Sequence, residues 1–530
     1  MHICDLKGIE MSLRLTSSAL ALMTIAAPAF ADVTPEEVWQ NWLDYFKTSG
    51  YEVTEGNREK AGATLTVSDV AFVFGDESAK VTFTVPEIVM QETGDGGVRT
   101  TYTDQQDVQI NGKNADGEDF ATTLHLSYPG NEMVTSGDAD DMTHTYTYPE
   151  LVLAVKEVTS KGETKPLPIE AKLTGSKGFI HAIKGDQPRW DVEHKSETVA
   201  VNADIDSPEA MVKIGATLET LALTGSMTAA QGMTLTSENL ATALNEGLTM
   251  EGRFAYGPTK GTFEFTGKGE QEGQTGNGTF EAGNGDLFYQ MSRDGMTYQG
   301  NGGAVKAEVA MMPLPFPIRY ALESSHFDLQ MPISKSDDAQ PFKLAYSLAG
   351  LTINDEVWDL FDPTRKLSRD PANIDLDLEG QTKVTADLMD PATMETLDAA
   401  DDTAEDPMAG SDETVAVPQK PSPFELIDLT VNQLAIKAVG ANIEATGNLK
   451  PSEENGMDQP VGKLNVRFSG VAELAQTLAQ MGLLPPDQVM MVNAMIGTLS
   501  VEDPDQPGSR KSEIEMKEDG SVFANGQQMQ

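Results

Sequence analysis

The stretch Thr262-Phe-Glu-Phe-Thr266 alternates strictly between polar and apolar side chains. The same alternation occurs at Val81–Val85, Leu124–Leu126 and Val305–Val309, where Thr, His, Lys or Glu separate the apolar residues. A period of two places apolar side chains on one face of a strand and polar ones on the other, which is typical of antiparallel sheets. The sequence therefore predicts strands with one solvated face.

Glycine-containing dipeptides separate these strands and favour tight turns. They include Asn111-Gly112, Asp116-Gly117, Asn277-Gly278, Asn284-Gly285 and Asp294-Gly295. No fixed repeat of roughly 20–50 residues is present, which disfavours propellers and regular solenoids. For residues 51–386 we predict an elongated antiparallel β domain, a long curved sheet or meander, within a mainly β (β-rich α+β) fold.

One helix is predicted at residues 32–50. Thr34 and Glu37 form a capping box, Pro35 occupies the first helical position, and Gly50 is a natural terminator. An apolar stripe follows at helical spacing, formed by Val38, Trp39, Trp42, Leu43 and Phe46. A helix that lies on a membrane surface would carry more basic side chains on its polar face than Lys47 alone, so we expect the stripe to pack on the sheet.

Residues 387–419 contain ten acidic residues and neither Lys nor Arg, so we predict a disordered linker or loop at 387–423. Residues 424–530 form the predicted C-terminal β/α unit. Strand patterns there give way to helical spacing at Val471, Leu474 and Leu478, and a helix pair is expected before a last strand near Ser512–Met516.

Residues 12–31 resemble a secretory signal peptide. Arg14 is followed by an apolar segment at 15–27 and by the small-residue site Ala29-Phe-Ala31. We therefore expect Met11 to be the true start, cleavage of residues 1–31 before Asp32, and a periplasmic mature protein. The single cysteine, Cys4, precedes this site, so we expect neither disulfides nor a thiolate ligand in the mature chain.

The chain is strongly acidic: 83 acidic residues face 37 basic ones, a net charge of -46. Nucleic-acid binding needs clustered Lys and Arg, so this class of partner is disfavoured. After residue 31, no apolar stretch approaches the roughly 18 residues of a transmembrane helix. The acids are spread along the chain, which favours adaptation to a saline medium over bound cations or a cationic partner.

Motifs for chemistry are weak. Asp375-Leu-Asp-Leu-Glu-Gly380 superficially matches a calcium loop, but Ala386 stands where the bidentate Glu is needed, so a strand is favoured. The acidic run Asp138–Asp141 is interpreted as a solvated turn. His125 and His144 are interpreted as wet-face or edge residues, and no zinc-binding pair of histidines is present. We predict no catalytic, cofactor-binding or metal-binding residues and no cofactor.

Methionine is abundant, with 25 residues and clusters at Met311-Met312 and at Met490-Met491 with Met495. Methionine fills irregular cores and also lines adaptable apolar grooves. Core filling is the simpler interpretation, and a lipid-accepting surface is the alternative.

Several segments carry a family resemblance: Asp355–Pro363 with Leu367–Ala372 and Ile374–Gly380, the strand Gly462–Gly470, the following Met481–Pro485, and the late Asp519–Gly526. They resemble an alphaproteobacterial exported-protein family, domain of unknown function 2125. More distantly, the strand-rich pattern is similar to AsmA-like envelope proteins, whose long grooved sheets handle lipid. The resemblance implies no catalytic residue, and the acidic insert departs from the family's compact pattern.

Three functions are compatible with these features. The first is a non-enzymatic periplasmic protein that binds or transfers lipid, or another amphiphile, on an apolar sheet face. The second is a structural scaffold or tether in the cell envelope. The most distant is a carboxylate-dependent hydrolase. The expected partners are lipid or another envelope component.

Overall fold

The computed structural model describes residues 32–75, 79–113, 117–207, 209–236, 238–269, 272–393 and 422–529. About 61% of the described residues are in strands and 11% in helices, and the strands form one long antiparallel sheet. The predicted fold class is confirmed. The predicted signal peptide and most of the predicted acidic linker, residues 394–421, lie outside the described residues.

The helices are α1 (Pro35–Thr48), α2 (Leu240–Asn245), α3 (Asp355–Trp358), α4 (Val471–Gln480) and α5 (Pro486–Leu499). The strands of the first third are β1 (Glu52–Thr54), β2 (Asn57–Ala61), β3 (Thr64–Gly75), β4 (Ala79–Glu92), β5 (Val98–Tyr102), β6 (Gln105–Lys113), β7 (Asp119–Ser127), β8 (Glu132–Gly137), β9 (Asp141–Ser160) and β10 (Glu163–Ile183). The central strands are β11 (Arg189–Ser196), β12 (Thr198–Asp206), β13 (Ala210–Leu218), β14 (Leu221–Thr228), β15 (Thr249–Tyr256), β16 (Thr259–Gly267), β17 (Thr275–Ala282), β18 (Gly285–Ser292), β19 (Gly295–Gly302), β20 (Val305–Met311), β21 (Ile318–Leu322) and β22 (Ser324–Met331). The last strands are β23 (Gln340–Ile353), β24 (Ala372–Val384), β25 (Phe424–Ala438), β26 (Ala441–Ser452), β27 (Gly456–Ser469), β28 (Val501–Glu502), β29 (Arg510–Met516), β30 (Val522–Ala524) and β31 (Gln527–Gln528).

The centre of the sheet is a meander of long strands, each interrupted midway. β11 and β12 are separated by Glu197 alone, β15 and β16 by Gly257-Pro258, and β17 and β18 by Gly283-Asn284. Because neighbouring strands are antiparallel, the first piece of one pairs with the second piece of the next, in the two series β11–β14–β15–β18–β19–β22 and β12–β13–β16–β17–β20–β21. Such interruptions act as bulges, which bend strands and increase their twist.

Each interruption also shifts the alternation of side chains by one residue. In β4, Phe83 and Val85 precede the break at Pro86-Glu87, and Ile88 and Met90 follow it, yet all four belong to one buried core. Without the shift, the second half of the strand would turn its apolar side chains to the opposite face. The interruptions therefore keep the apolar residues of both halves on one side of the sheet.

Two rows of paired residues define this side, which we call the apolar face. The first row crosses twelve strands and consists of Phe72, Phe83, Val108, Leu124, Val155, Ile169, Ala203, Ile214, Phe263, Gly278, Val309 and Ile318. The second starts at Met90, passes through Thr100, Met133, Tyr146, Gly178 and His194, and continues as Leu223, Phe254, Leu287, Gly300, Phe327, Tyr346, Leu376, Leu434, Ala445 and Val466. Because Phe72, Phe83 and Met90 share one core cluster, both rows lie on the same face.

The opposite side, which we call the outer face, is polar. One of its rows consists of Asp191, Ser226, Glu251, Gln290, Thr297, Gln330, Lys343, Glu379, Thr430, Asn448, Lys463 and Glu515. The predicted division into one apolar and one solvated face thus holds along the sheet.

Helix α1 lies on the apolar face at the N-terminal end of the sheet. The predicted capping box is present: the Glu37 amide donates to Thr34 Oγ1, and the Thr34 amide donates to Glu37 Oε2. Val38 and Trp39 are buried in the cluster that also contains Val67 of β3. The Trp39 indole Nε1 donates to Glu55 Oε1 at 2.9 Å, which fixes the ring. The prediction that the stripe packs on the sheet is confirmed.

The C-terminal part continues the same sheet. β24 pairs with β25 across the acidic insert, with Val384 opposite Phe424. At the near end of the segment predicted as a linker, Leu388 is buried in a core cluster with Val384. Helices α4 and α5 lie on the apolar face of β26, β27 and β29, around a cavity of about 280 Å³ whose lining includes Ile443, Phe468 and Ile496.

Three of the predicted turns were wrong. Asn111-Gly112 lies inside β6, and Asn277-Gly278 lies inside β17, paired on both sides. Asn284-Gly285 lies at the interruption between β17 and β18, where the long strand continues and does not turn back. Gly278 is needed there for space: a Cβ at this position would stand 2.5 Å from Cε1 of Phe263 on the neighbouring strand. The glycine therefore accommodates an aromatic ring, which the dipeptide alone does not reveal.

Both edges of the sheet are made of short strands. At the N-terminal edge, β1 and β2 have 3 and 5 residues and flank the 12-residue β3. At the C-terminal edge, β30 and β31 have 3 and 2 residues. Neither edge offers a long row of unpaired backbone groups.

We expect the melting temperature to rise with NaCl between low millimolar and roughly half-molar concentration. The chain has a net charge of -46, and folding brings its acidic side chains closer together. Salt screens the resulting repulsion between them. Thermal unfolding monitored by circular dichroism measures this, with tetramethylammonium chloride as the control for screening. A rise seen only with calcium would instead indicate specific acidic sites, and a flat response to all three salts would contradict the expectation.

Candidate apolar binding site

The apolar face remains open along the middle of the sheet. Large apolar side chains there keep 36–44% of their surface exposed. They are Ile214, Leu223, Phe254, Leu287, Tyr320, Tyr346, Leu351, Ile353, Ile374 and Ile436. Contiguous apolar surface of this kind on a folded protein marks a site for a ligand, a partner or a membrane.

Aromatic rings on this face lie over glycines of neighbouring strands. A Cβ at Gly380 would stand 2.6 Å from Cε1 of Phe342, just as one at Gly278 would collide with Phe263. Paired glycines, Gly225 and Gly252, stand next to each other in β14 and β15. Gly278 and Gly380 provide no side chains, so the rings of Phe263 and Phe342 lie against the sheet at these positions.

A methionine row runs along one margin of the apolar face. Met227, Met250, Met291, Met296 and Met331 pair across five neighbouring strands. The row packs against a cluster that includes residues of α2 and its flanks, namely Ala229, Ala243, Leu244 and Leu248. The flexible thioether side chains fill this interface, and α2 thereby covers one margin of the open face.

The methionine clusters noted in the sequence lie elsewhere and are not core fillers. Met311 and Met312 are 44% and 62% exposed, and Met490 and Met491 on α5 are 67% and 61% exposed. The interpretation as core filling is wrong for these residues. Core filling does describe the methionine row, whose members are far apart in the sequence and become neighbours because their strands pair.

A roofed cavity of about 270 Å³ lies beneath α1. Trp42, Tyr45 and Phe46 of the helix form its roof, and Phe83 and Ile88 of β4 form part of its floor. Ile180 and Trp190 complete the wall toward the open part of the apolar face. Rings and alkyl groups dominate the lining, and no charged side chain contributes to it.

Several polar groups of the cavity wall are hydrogen-bonded within the protein. His144 Nε2 lies 3.0 Å from Asn41 Oδ1, and the Thr135 hydroxyl lies 2.8 Å from His144 Nδ1. The Tyr128 hydroxyl donates to Gln106 Oε1 at 2.9 Å. Burial lowers the pKa of His144 to about 4, so the imidazole is neutral at pH 7. The imidazole of His144 and the hydroxyl of Tyr128 are therefore engaged within the protein, and the cavity presents no charge.

His144 is the one histidine whose placement differs from the prediction. It is 2% exposed and fully enclosed between β9 and α1, with its ring 6.4 Å from that of Trp42. The prediction of a wet-face or edge residue was wrong, because α1 covers β9 and sequence alternation does not reveal which strand a helix covers. His125 is partly exposed on the outer face, as predicted, and its Nδ1 lies 2.7 Å from Asp107 Oδ1.

A hydrogen-bonded run of polar side chains lies beside the cavity. The Tyr146 hydroxyl lies 3.0 Å from His194 Nδ1, His194 Nε2 lies 2.9 Å from Ser196 Oγ, and Ser196 Oγ lies 2.8 Å from Ser176 Oγ. Burial raises the pKa of Tyr146 to about 12. Ser196 is only 4% exposed, and its hydroxyl already has two partners. This arrangement stabilises the fold and does not present a nucleophile to a substrate.

The calcium-like motif is a strand. Asp375 and Asp377 lie in β24 on the outer face, opposite Ala435 and Gln433 of β25. In the Asp138–Asp141 turn, Asp138 Oδ1 accepts hydrogen bonds from the backbone amides of Asp140 and Asp141. Both interpretations from the sequence are confirmed. Within the described ranges, no three or more His, Cys, Asp or Glu side chains are grouped so that they could hold a metal ion.

Among helices of the described part of the chain, none is both long and apolar enough to cross a membrane. The single cysteine permits no disulfide within one chain. No protein-family model matches the sequence, and no curated protein is significantly similar to it.

Proposed function

We propose that this is an exported, non-enzymatic periplasmic protein that carries an amphiphile by holding its acyl chain on the apolar face. The observation that supports the proposal is the apolar row from Leu223 to Leu434, which ends where α4 and α5 begin to cover the face and along which large side chains are left partly exposed. Burial of apolar surface contributes about 25 cal/mol per Å², so an aliphatic chain laid along such a row binds favourably.

The dimensions of the face suit an extended chain. From Leu223 to Leu434 the row crosses eight strands, and seven steps of roughly 4.8 Å give about 34 Å. Across this distance the row contains no charged side chain, so it favours hydrocarbon over peptide, which would leave its backbone groups unpaired. The charged outer face keeps the loaded protein dispersed in water.

The test is to place carboxylates on the apolar face. In the double variant Leu223→Glu, Leu287→Glu, binding of the fluorescent fatty acid cis-parinaric acid should weaken by at least about tenfold, since each buried carboxylate opposes an alkyl chain. Fluorescence titration measures the dissociation constant. Wild type should bind the probe in a saturable manner.

The control double variant is Thr224→Glu, Gln290→Glu, which carries two added charges on exposed outer-face positions of β14 and β18. Its affinity should stay within about twofold of wild type. Equal affinity for both variants would contradict the proposal. A clean unliganded mass for protein purified from its native periplasm, combined with no fatty-acid binding, would favour the envelope scaffold instead.

A further inference from the structure

We infer that the roofed cavity beneath α1 receives the methyl end of the bound acyl chain, so that the ligand lies on the sheet in one direction. This inference rests on the proposed function and adds a polarity to it. The polar head would then lie outside the cavity, toward the open part of the apolar face.

The cavity is continuous with the open face through shared residues. Ile180 and Trp190 line the cavity, and each belongs to a cross-strand row of the apolar face. Trp190 is paired directly with Met227, the first member of the methionine row, and Ile180 is paired with Val192. Because α2 covers the methionine row, the open route is the row of Ile180, which continues from Val192 to Gly225 and Gly252 and carries no charged side chain. A chain lying along that row reaches the cavity.

The chemistry of the cavity selects hydrocarbon. No Lys or Arg among the described residues lines it, and His144 is neutral, so a charged head group would find no counter-charge there. Inserting a charged carboxylate or phosphate would leave it desolvated and unpaired, which is strongly unfavourable. A methyl-terminated segment has no hydrogen bonds to water to lose on entering the cavity.

The size of the cavity limits what enters. Cavities of roughly 150 Å³ lined by apolar side chains stay dry and accept benzene, whereas pockets for whole drug-sized ligands measure roughly 300–1,000 Å³. At about 270 Å³, the cavity fits a short hydrocarbon segment and not a complete lipid. The remainder of the chain must lie on the open face.

Two tryptophans make the orientation measurable. Trp42 and Trp190 both line the cavity, and bromine quenches indole fluorescence at short range. We would titrate the Trp358→Phe protein, which lacks the indole of α3, with fatty acids of one length. One would carry vicinal bromines next to the methyl end and the other next to the carboxylate.

We expect the methyl-end probe to quench at least twice as strongly at equal occupancy. Occupancy is established independently by displacement of cis-parinaric acid. Adding Trp190→Phe should reduce the quenching by the methyl-end probe. Val85→Phe, which places a ring in the cavity, should remove the difference between the two probes; Ile180→Phe serves the same purpose if the first variant does not fold.

The outcomes separate this inference from the function on which it rests. Saturable binding with equal quenching, or with stronger quenching by the carboxylate-end probe, overturns the orientation and leaves acyl-chain binding intact. Failure of both probes to displace cis-parinaric acid, or to bind at all, overturns both.

Discussion

Replacing Trp39 with alanine should lower the free energy of unfolding by about 3–5 kcal/mol, the range for removal of a large buried aromatic side chain. Trp39 is 1% exposed and contacts the core shared by α1, β3 and β4. The substitution leaves a cavity under the helix and also leaves Glu55 without its indole donor. Urea unfolding followed by circular dichroism gives the free energy, provided the transition is two-state.

Two further variants serve as controls for this result. Gln40→Ala changes the exposed neighbour on the same helix and should stay within about 0.5 kcal/mol of wild type. Trp39→Phe keeps an aromatic ring and should lose less than the alanine variant. If Trp39→Ala were no more destabilising than Gln40→Ala, α1 would not be an integral part of the core, and the roof of the cavity would be loose.

The second large effect concerns acid. Burial lowers the pKa of His144 from 6.5 to about 4, so the unfolded chain binds a proton on this residue more readily than the folded protein does. Stability from the neutral imidazole is complete above about pH 6.5 and is lost as the pH falls toward 4. The linkage relation gives a loss of about 3 kcal/mol between pH 7 and pH 4.

The measurement is the pH dependence of unfolding in wild type and in His144→Gln, which removes the titrating group and retains a side-chain amide. Protonation of the many carboxylates changes stability in both proteins, so the difference between the two curves isolates the imidazole. Wild type should lose about 3 kcal/mol more than the variant on going from pH 7 to pH 4. Parallel curves for wild type and His144→Gln would show that His144 is solvated in the folded protein.

Local pattern was sufficient to predict the fold class and α1. Alternation at Thr262–Thr266 reports one strand's two faces directly, and the capping box at Thr34 reports a helix start, because both depend on residues close in sequence. The register between strands is not local. Met227 and Met331 belong to one row across five strands, yet 104 positions separate them in the sequence.

The candidate site could not be predicted from the sequence for the same reason. The idea of an apolar face for lipid follows from alternation, but its extent depends on interruptions such as Glu197 and Gly283-Asn284, which shift the alternation at matching places in successive strands. The cavity depends on α1 lying over β9, and nothing near His144 in the sequence indicates this contact. The misassigned Asn277-Gly278 turn shows the converse, since a local signal was overridden by the packing of Phe263.

The short strands at both ends of the sheet have a consequence for how copies of the protein coexist at high concentration. A sheet of 31 strands is a natural template for fibril growth, because any long exposed edge can recruit the edge of a second molecule. Here the terminal strands offer 3 and 2 residues at one end, and 3 and 5 at the other. An incoming strand would gain few backbone hydrogen bonds at either end, and the net charge of -46 on each copy would repel it. The molecule can therefore extend one sheet over most of its length and still stay free of end-to-end polymers.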